Sequence, residues 1–143
     1  MKGKSFSKSG ISIQYPTAWT FDEESSGEGW TVTLQSPGTT FLLISLRPDA
    51  DEPTQVADQT LEAMKAEYPE LDASDATETL AGRMAIGFDV DFVALDATVS
   101  GRIRAIDSPE GPLLILTQSS DLDRAKHEAA LKAIESSIEI TEE

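Results

Sequence analysis

A chain of 143 residues can bury a sizeable core, since a domain of that length hides roughly two-thirds of its unfolded surface, and its 39% hydrophobic and 26% charged residues are those of a globular protein. With 26 acidic against 11 basic residues the net charge is −15, a surface that repels phosphate backbones and anionic membranes. It therefore speaks against nucleic acid and lipid headgroups as partners and for basic proteins or cations, with plain solubility as the other reading. The absence of cysteine removes disulfides, thiolate nucleophiles and thiolate metal sites.

In chain order, the opening MKGKSFSKSG lacks apolar bulk and carries Lys2, Lys4 and Lys8, so residues 1–10 are expected to form a mobile basic tail. No apolar stretch follows those lysines before Ile11, unlike a secretory signal, and no window reaches the length of a membrane span. The expected location is cytoplasmic; a chain trimmed of an export signal would read the same and belong to the periplasm or envelope. Ile11-Ser-Ile-Gln-Tyr15 has the period of two of a half-buried strand, which Pro16 ends. Trp19 and Phe21 resume an extended segment, the acidic DEESSGEG of 22–29 reads as a loop, and Trp30 to Gln35 alternates again with Trp30, Val32 and Leu34 on one side. Ser36-Pro-Gly-Thr39 is turn chemistry, so Phe41 to Leu46 is expected to return antiparallel, apolar on both faces and covered on both.

RPDADEP (47–53) breaks the pattern, and Thr54 reads as the N-cap of a helix running to about Tyr68, with Ala57, Leu61, Met64 and Tyr68 along one stripe. Pro69 stops it. A short extended piece near Thr77 to Leu80 leads through Ala81-Gly82 into a strand from Arg83 to Ala94, and another follows from Thr98 to Asp107. Ser108-Pro-Glu-Gly111 is a turn before Pro112 to Gln118, whose run of large aliphatics marks a strand buried on both faces. Asp121 is expected to cap a last helix running to about Ser136, with Ala130, Leu131, Ile134 and Ile138 as its apolar stripe. Strands, a helix, strands and a helix describe a single α+β domain over residues 11–140, a central, mainly antiparallel β-sheet flanked by helices.

That order, with three short motifs, resembles the PsbP-like superfamily, which takes in the photosystem II extrinsic protein, a Ran-binding nuclear-import factor and the bacterial DcrB-like proteins. The motifs are ISIQYPTAW (11–19) at the start, Leu80-Ala-Gly-Arg-Met-Ala85 before the paired strands, and Ile134-Glu-Ser-Ser-Ile-Glu-Ile140 at the end. The resemblance covers about residues 11–140 and implies an α/β/α sandwich used mostly to bind another protein and rarely for catalysis. It names no partner, and no ligand residues of the plant member's metal-linked role match this chain.

FDVDFVALDATVSGRIRAID (88–107) sets Asp89 and Asp91 against Arg102 and Arg104 across a short break. With Asp96-Ala97 at the tip of an even-length loop, Asp91 would face Arg102 and Asp89 would face Arg104, while Val90 met Ile103, Phe92 met Gly101 and Phe88 met Ala105 on the other side. One face is then apolar and the other a charge-paired ladder. An odd-length loop or a bulge would instead leave Asp89 and Asp91 as unpaired neighbours able to hold a divalent cation.

Other constellations are weaker. Asp49-Ala-Asp51-Glu52 departs from EF-hand spacing at Pro53 and Thr54 and reads as an acidic loop. His127 is the only histidine and reads as a surface or boundary residue; a Ser–His–Asp set lacks a Gly-x-Ser-x-Gly elbow. Trp19 and Trp30 sit at strand positions that suit core packing, although Trp30, following the acidic loop, could also be an exposed binding anchor. The expected function is a non-enzymatic protein-binding or adaptor module. Its acidic surface steers a basic partner and an apolar patch near the sheet edge grips it, with no cofactor, metal ligand set or catalytic residue assigned. The candidate binding residues are Trp30, Asp89, Asp91, Arg102 and Arg104. The alternative is a small-ligand or divalent-cation-binding domain with an acidic cleft between sheet and helix.

Overall fold

Alternating apolar positions commit most of the chain to strands, and the computed structural model, which describes residues 3–141, contains ten strands and two helices. They are β1 (Gly3–Lys8), β2 (Ile11–Pro16), β3 (Thr20–Ser26), β4 (Gly29–Gln35), β5 (Phe41–Leu46), α1 (Pro53–Glu67), β6 (Asp72–Leu80), β7 (Arg83–Ala94), β8 (Ala97–Ile106), β9 (Leu113–Ser120), α2 (Arg124–Ser136) and β10 (Glu139–Ile140). Seven strands form one sheet in the order β3-β4-β5-β9-β8-β7-β6, antiparallel at every step. Its middle strands β5 and β9 carry apolar residues on both faces, as their sequences require.

Two cores follow from those two faces. Val56, Ala57, Leu61 and Met64 of α1 pack with Val90, Phe92, Ile103 and Leu114 on one side. On the other, Leu131 and Ile134 of α2 join Ile11 and Ile13 of β2 over Val32, Leu34, Leu42, Ile44 and Ile115. The fold is therefore the expected α+β arrangement of a central antiparallel sheet with helices on both faces. A second sheet, β1-β2-β10, lies beside α2. No helix among the described residues is long and apolar enough to cross a membrane.

Several local expectations change. Residues 3–8, expected to be a mobile tail, pair along their whole length with β2. Phe6 anchors them against Phe21 and Trp30, at centroid distances of 5.4 and 5.2 Å, and Lys8 Nζ lies 2.8 Å from Glu23. The acidic loop of 22–29 shrinks to a turn at Gly27-Glu28, because Asp22 to Ser25 continue as an edge strand, where exposed charges discourage pairing with a further chain. Helix α1 begins with Pro53 at its first position after Glu52, where the missing N–H costs nothing, so Thr54 is not the cap. Asp123, and not Asp121, precedes α2, and β6 extends back to Asp72.

Candidate functional site

The β7–β8 hairpin turns at Leu95-Asp96, both left-handed with φ of 50° and 64°, so Ala94 pairs with Ala97. This places the tip one residue earlier than Asp96-Ala97. Asp89 therefore opposes Arg102, Asp91 opposes Ser100, Val90 opposes Gly101, and Phe88 opposes Ile103. The correction moves every partner by two residues and so preserves the faces: charges still share one side and apolar residues the other.

The charged side is not an exposed ladder. Arg104, its side chain only 6% exposed, bonds Asp89 Oδ1 diagonally at 2.7 Å through Nη2 and Glu78 Oε2 of β6 at 2.5 Å through Nε. Its Nη1 donates to the Phe88 and Ile103 carbonyls. Burial by itself would lower the guanidinium pKa, but the bonds to Asp89 and Glu78 outweigh it and hold the value above the ordinary one. Arg102 turns away from Asp91 to the buried Glu135 of α2, with Glu78 3.9 Å from its Nη1. Burial pushes the Glu135 carboxyl above its usual range despite the facing Arg102. Gly87, opposite Arg104, lets the strands meet here, since a Cβ would strike the Ile103 carbonyl. Asp89, Arg102 and Arg104 thus belong to a five-residue ionic network locking β6, β7, β8 and α2 together.

Asp91 is left outside it. The Ser100 hydroxyl donates to its Oδ1 at 2.6 Å, and its cross-strand neighbour on β6 is another carboxylate, Asp72. Among the described residues no group of three His, Cys, Asp or Glu side chains converges as a metal site requires. Trp30 is core: it is 2% exposed and its Nε1 donates to Ser9 Oγ at 3.1 Å, so packing replaces the exposed-anchor alternative.

His127 is buried and not peripheral, edge-on to Trp19 at 6.3 Å. Its Nε2 lies 3.8 Å from Asp123 Oδ2. The same carboxylate accepts from the Thr39 amide at 2.7 Å, the Thr39 hydroxyl at 2.5 Å and the Ser120 hydroxyl at 3.2 Å. Burial would raise the Asp123 pKa, but the Thr39 and Ser120 hydrogen bonds and the facing His127 hold it below the usual carboxylate range. Gly38 admits this tie, because a Cβ would collide with that carboxylate. The carboxylate stands between serine and histidine, whereas a nucleophilic relay needs the imidazole in the middle. The cluster therefore fastens the β4–β5 turn to the start of α2.

Of the five large apolar side chains left exposed, Met84 sits at the far end of β7 and Phe21 on β3, and the other three gather at the hairpin tip. Leu95 is 99% exposed, Val93 71% and Leu122 79%. Thr98 pairs with Val93 on one side and accepts the Asp121 amide at 2.8 Å on the other, which brings Leu122 to the same end of the sheet. Beside them opens a cleft of about 520 Å3 with Tyr68 and Phe92 stacked at 4.2 Å within its lining and Glu67, Glu70, Asp72 and Asp91 around it. The β6 ladder stops at Asp72–Asp91, so Phe92 to Ala94 run on past its end. Sequence reasoning missed Leu95 and Leu122. The available signal was Val93, an apolar residue that the period of two places on the same rail as Asp89 and Asp91.

No protein-family model matches the chain, and no curated protein sequence matches it. Solved structures do. The solution structure of cyanobacterial PsbP from Synechocystis superposes with a TM-score of 0.65 at 12% identity, covering 96% of this chain and 92% of that one. A Pseudomonas aeruginosa protein of unknown function, described as a candidate regulator, gives 0.58 at 16% identity with 99% of each chain covered. LpqN of Mycobacterium tuberculosis, described as involved in cell envelope biogenesis, gives 0.53 at 17% identity with 98% of this chain and 86% of that one covered. At 12–17% identity the likeness is one of overall fold, and the fold is PsbP-like.

Proposed function

We propose that the protein is a non-enzymatic binding module that grips a basic, amphipathic segment of another protein at the β7–β8 hairpin tip. The observation that carries this reading is Leu95, a fully exposed leucine held in a left-handed conformation that a branched side chain avoids. Polar turn residues would be more stable there and more soluble, so the leucine has a use outside the fold. Val93 and Leu122 extend it to a patch, and the Tyr68–Phe92 cleft offers a pocket for one inserted side chain.

Charge selects the partner. Asp72 and Asp91 face each other across adjacent strands, an arrangement that costs stability unless a cation lies between or beside them. Glu67 and Glu70 add to that field, and the net charge of −15 extends it as steering. A lysine- or arginine-bearing segment with an apolar face meets both demands. The envelope role described for LpqN makes the cell envelope the first place to look for such a partner.

The test is affinity capture at low and raised salt with wild type and a Val93→Thr/Leu122→Ser double variant. The expected result is a specific partner that wild type retains and the variant loses, with recovery falling as salt rises. Equal capture by both proteins, or capture of no specific partner at either salt, overturns the reading.

A further inference from the structure

The first half of α2 spans a second cleft, of about 280 Å3, over the polar part of the sheet. Its floor carries Thr40, Thr117, Ser119 and Ser100, and its roof carries Arg124, Glu128, Leu131 and Lys132. Thr40 shares a face with Leu42 and Ile44 under α2 and is fully buried, yet its Oγ1 has no hydrogen-bond partner. Arg124 Nε is buried and unpartnered as well. These two are the orphaned buried side-chain polar atoms among the described residues, and both belong to residues lining this one cleft. Native folds rarely shut polar atoms away without a partner unless something else meets them.

The cations around the cleft are not equivalent. Arg102 is committed to Glu135, and Lys132 lies 3.4 Å from Glu128. Arg124 Nη2 donates to the Ser100 hydroxyl at 2.7 Å, and that hydroxyl in turn donates a hydrogen bond to Asp91, so no carboxylate binds Arg124 directly among the described residues. Its guanidinium therefore keeps donor capacity facing the cleft that no acidic side chain takes up. We propose that this cleft is a binding site for a small organic monocarboxylate, anchored by Arg124, received by the Thr40, Thr117 and Ser119 hydroxyls, with a short hydrocarbon body against Leu131. One uncommitted cation suits one negative charge, and Glu128 and the global charge repel a phosphate dianion.

Two-dimensional NMR of the full chain titrated with acetate, propionate and butyrate, and separately with inorganic phosphate, tests this. The carboxylates are expected to shift the amides of Thr40, Thr117, Ser119 and Arg124 at millimolar concentration, with butyrate binding most tightly. Arg124→Gln is expected to weaken butyrate by about tenfold or more, because a charged hydrogen bond is lost. Thr40→Val keeps shape while removing the orphaned hydroxyl, so it should weaken binding yet leave the free protein as stable or more so. Unshifted amides with every carboxylate, titrations unchanged in both variants, or phosphate binding in place of carboxylate would each overturn the proposal. So would a crystal structure grown in butyrate with only ordered water on Thr40 Oγ1.

Discussion

The body and the tip of the β7–β8 hairpin invert the usual expectation about which residues a fold covers and which it leaves to solvent. In the body, charges that look like a working site are satisfied by one another around an enclosed arginine: Arg104 is nearly buried, and three of its nitrogens are bonded. At the tip, residues that look like core material stand in solvent. The difference lies in cover. Helix α2 supplies Glu135 over Arg102, whereas nothing among the described residues covers Leu95. A charge becomes structural where the fold brings it a counter-charge, and an apolar group becomes available where the fold leaves it bare.

The largest effect that separates the two regions is expected in the body. Arg104→Ala strips Glu78 and Asp89 of their common cation and should cost about 2–3 kcal/mol, less than a fully enclosed pair because Asp89 is half exposed. Urea unfolding measures it. A loss under about 0.5 kcal/mol would mean that the network is solvated and that body and tip do not differ.

Asp123 marks a second enclosed cluster, and its effect is smaller and dependent on pH. Asp123→Ala removes three acceptor bonds and should cost about 1–2 kcal/mol at neutral pH. Its pKa is depressed in the folded state, so the contribution is complete above the unfolded value of 3.8 and disappears as pH falls through the lower, folded one. Thermal unfolding of wild type and variant should therefore converge on acidification below about pH 4. A difference that persists unchanged at low pH would show that the charge on Asp123 is not what the cluster uses.

Much of this was legible in the sequence, and the failures have physical causes. Alternation located β2 and β4, turn signals and continuous apolar runs located β5 and β9, and the Asp and Arg rails of β7 and β8 received their correct faces, because a two-residue slip leaves side-chain parity intact. The slip itself came from turn chemistry: Leu95 is a poor residue for φ of 50°, so the tip was placed one residue late. The ionic partners Glu78 and Glu135 lie 26 and 33 residues from the arginines they bond, beyond any local pattern. Strand β1 escaped notice because Phe6 alone carries its packing and its other residues are exposed. The Thr40–Arg124 cleft left no trace in sequence, since it depends on what the fold fails to pair.

The smallest effect on stability, and the one of opposite sign, is expected at the tip. Leu95→Asn exchanges a branched side chain for one that tolerates the left-handed region, and should stabilise the protein by about 0.5–1 kcal/mol. The same change removes the most exposed side chain of the patch and, under the proposed function, should weaken capture of a basic partner. Gain of stability with loss of binding is the signature of a residue kept against the interest of the fold. If Leu95→Asn lowers stability, the leucine has a packing role that its exposure conceals, and the contrast between tip and body disappears. If stability rises while binding is untouched, the strain at the tip is real, but the contact surface must lie elsewhere along Val93, Leu122 and the Tyr68–Phe92 cleft.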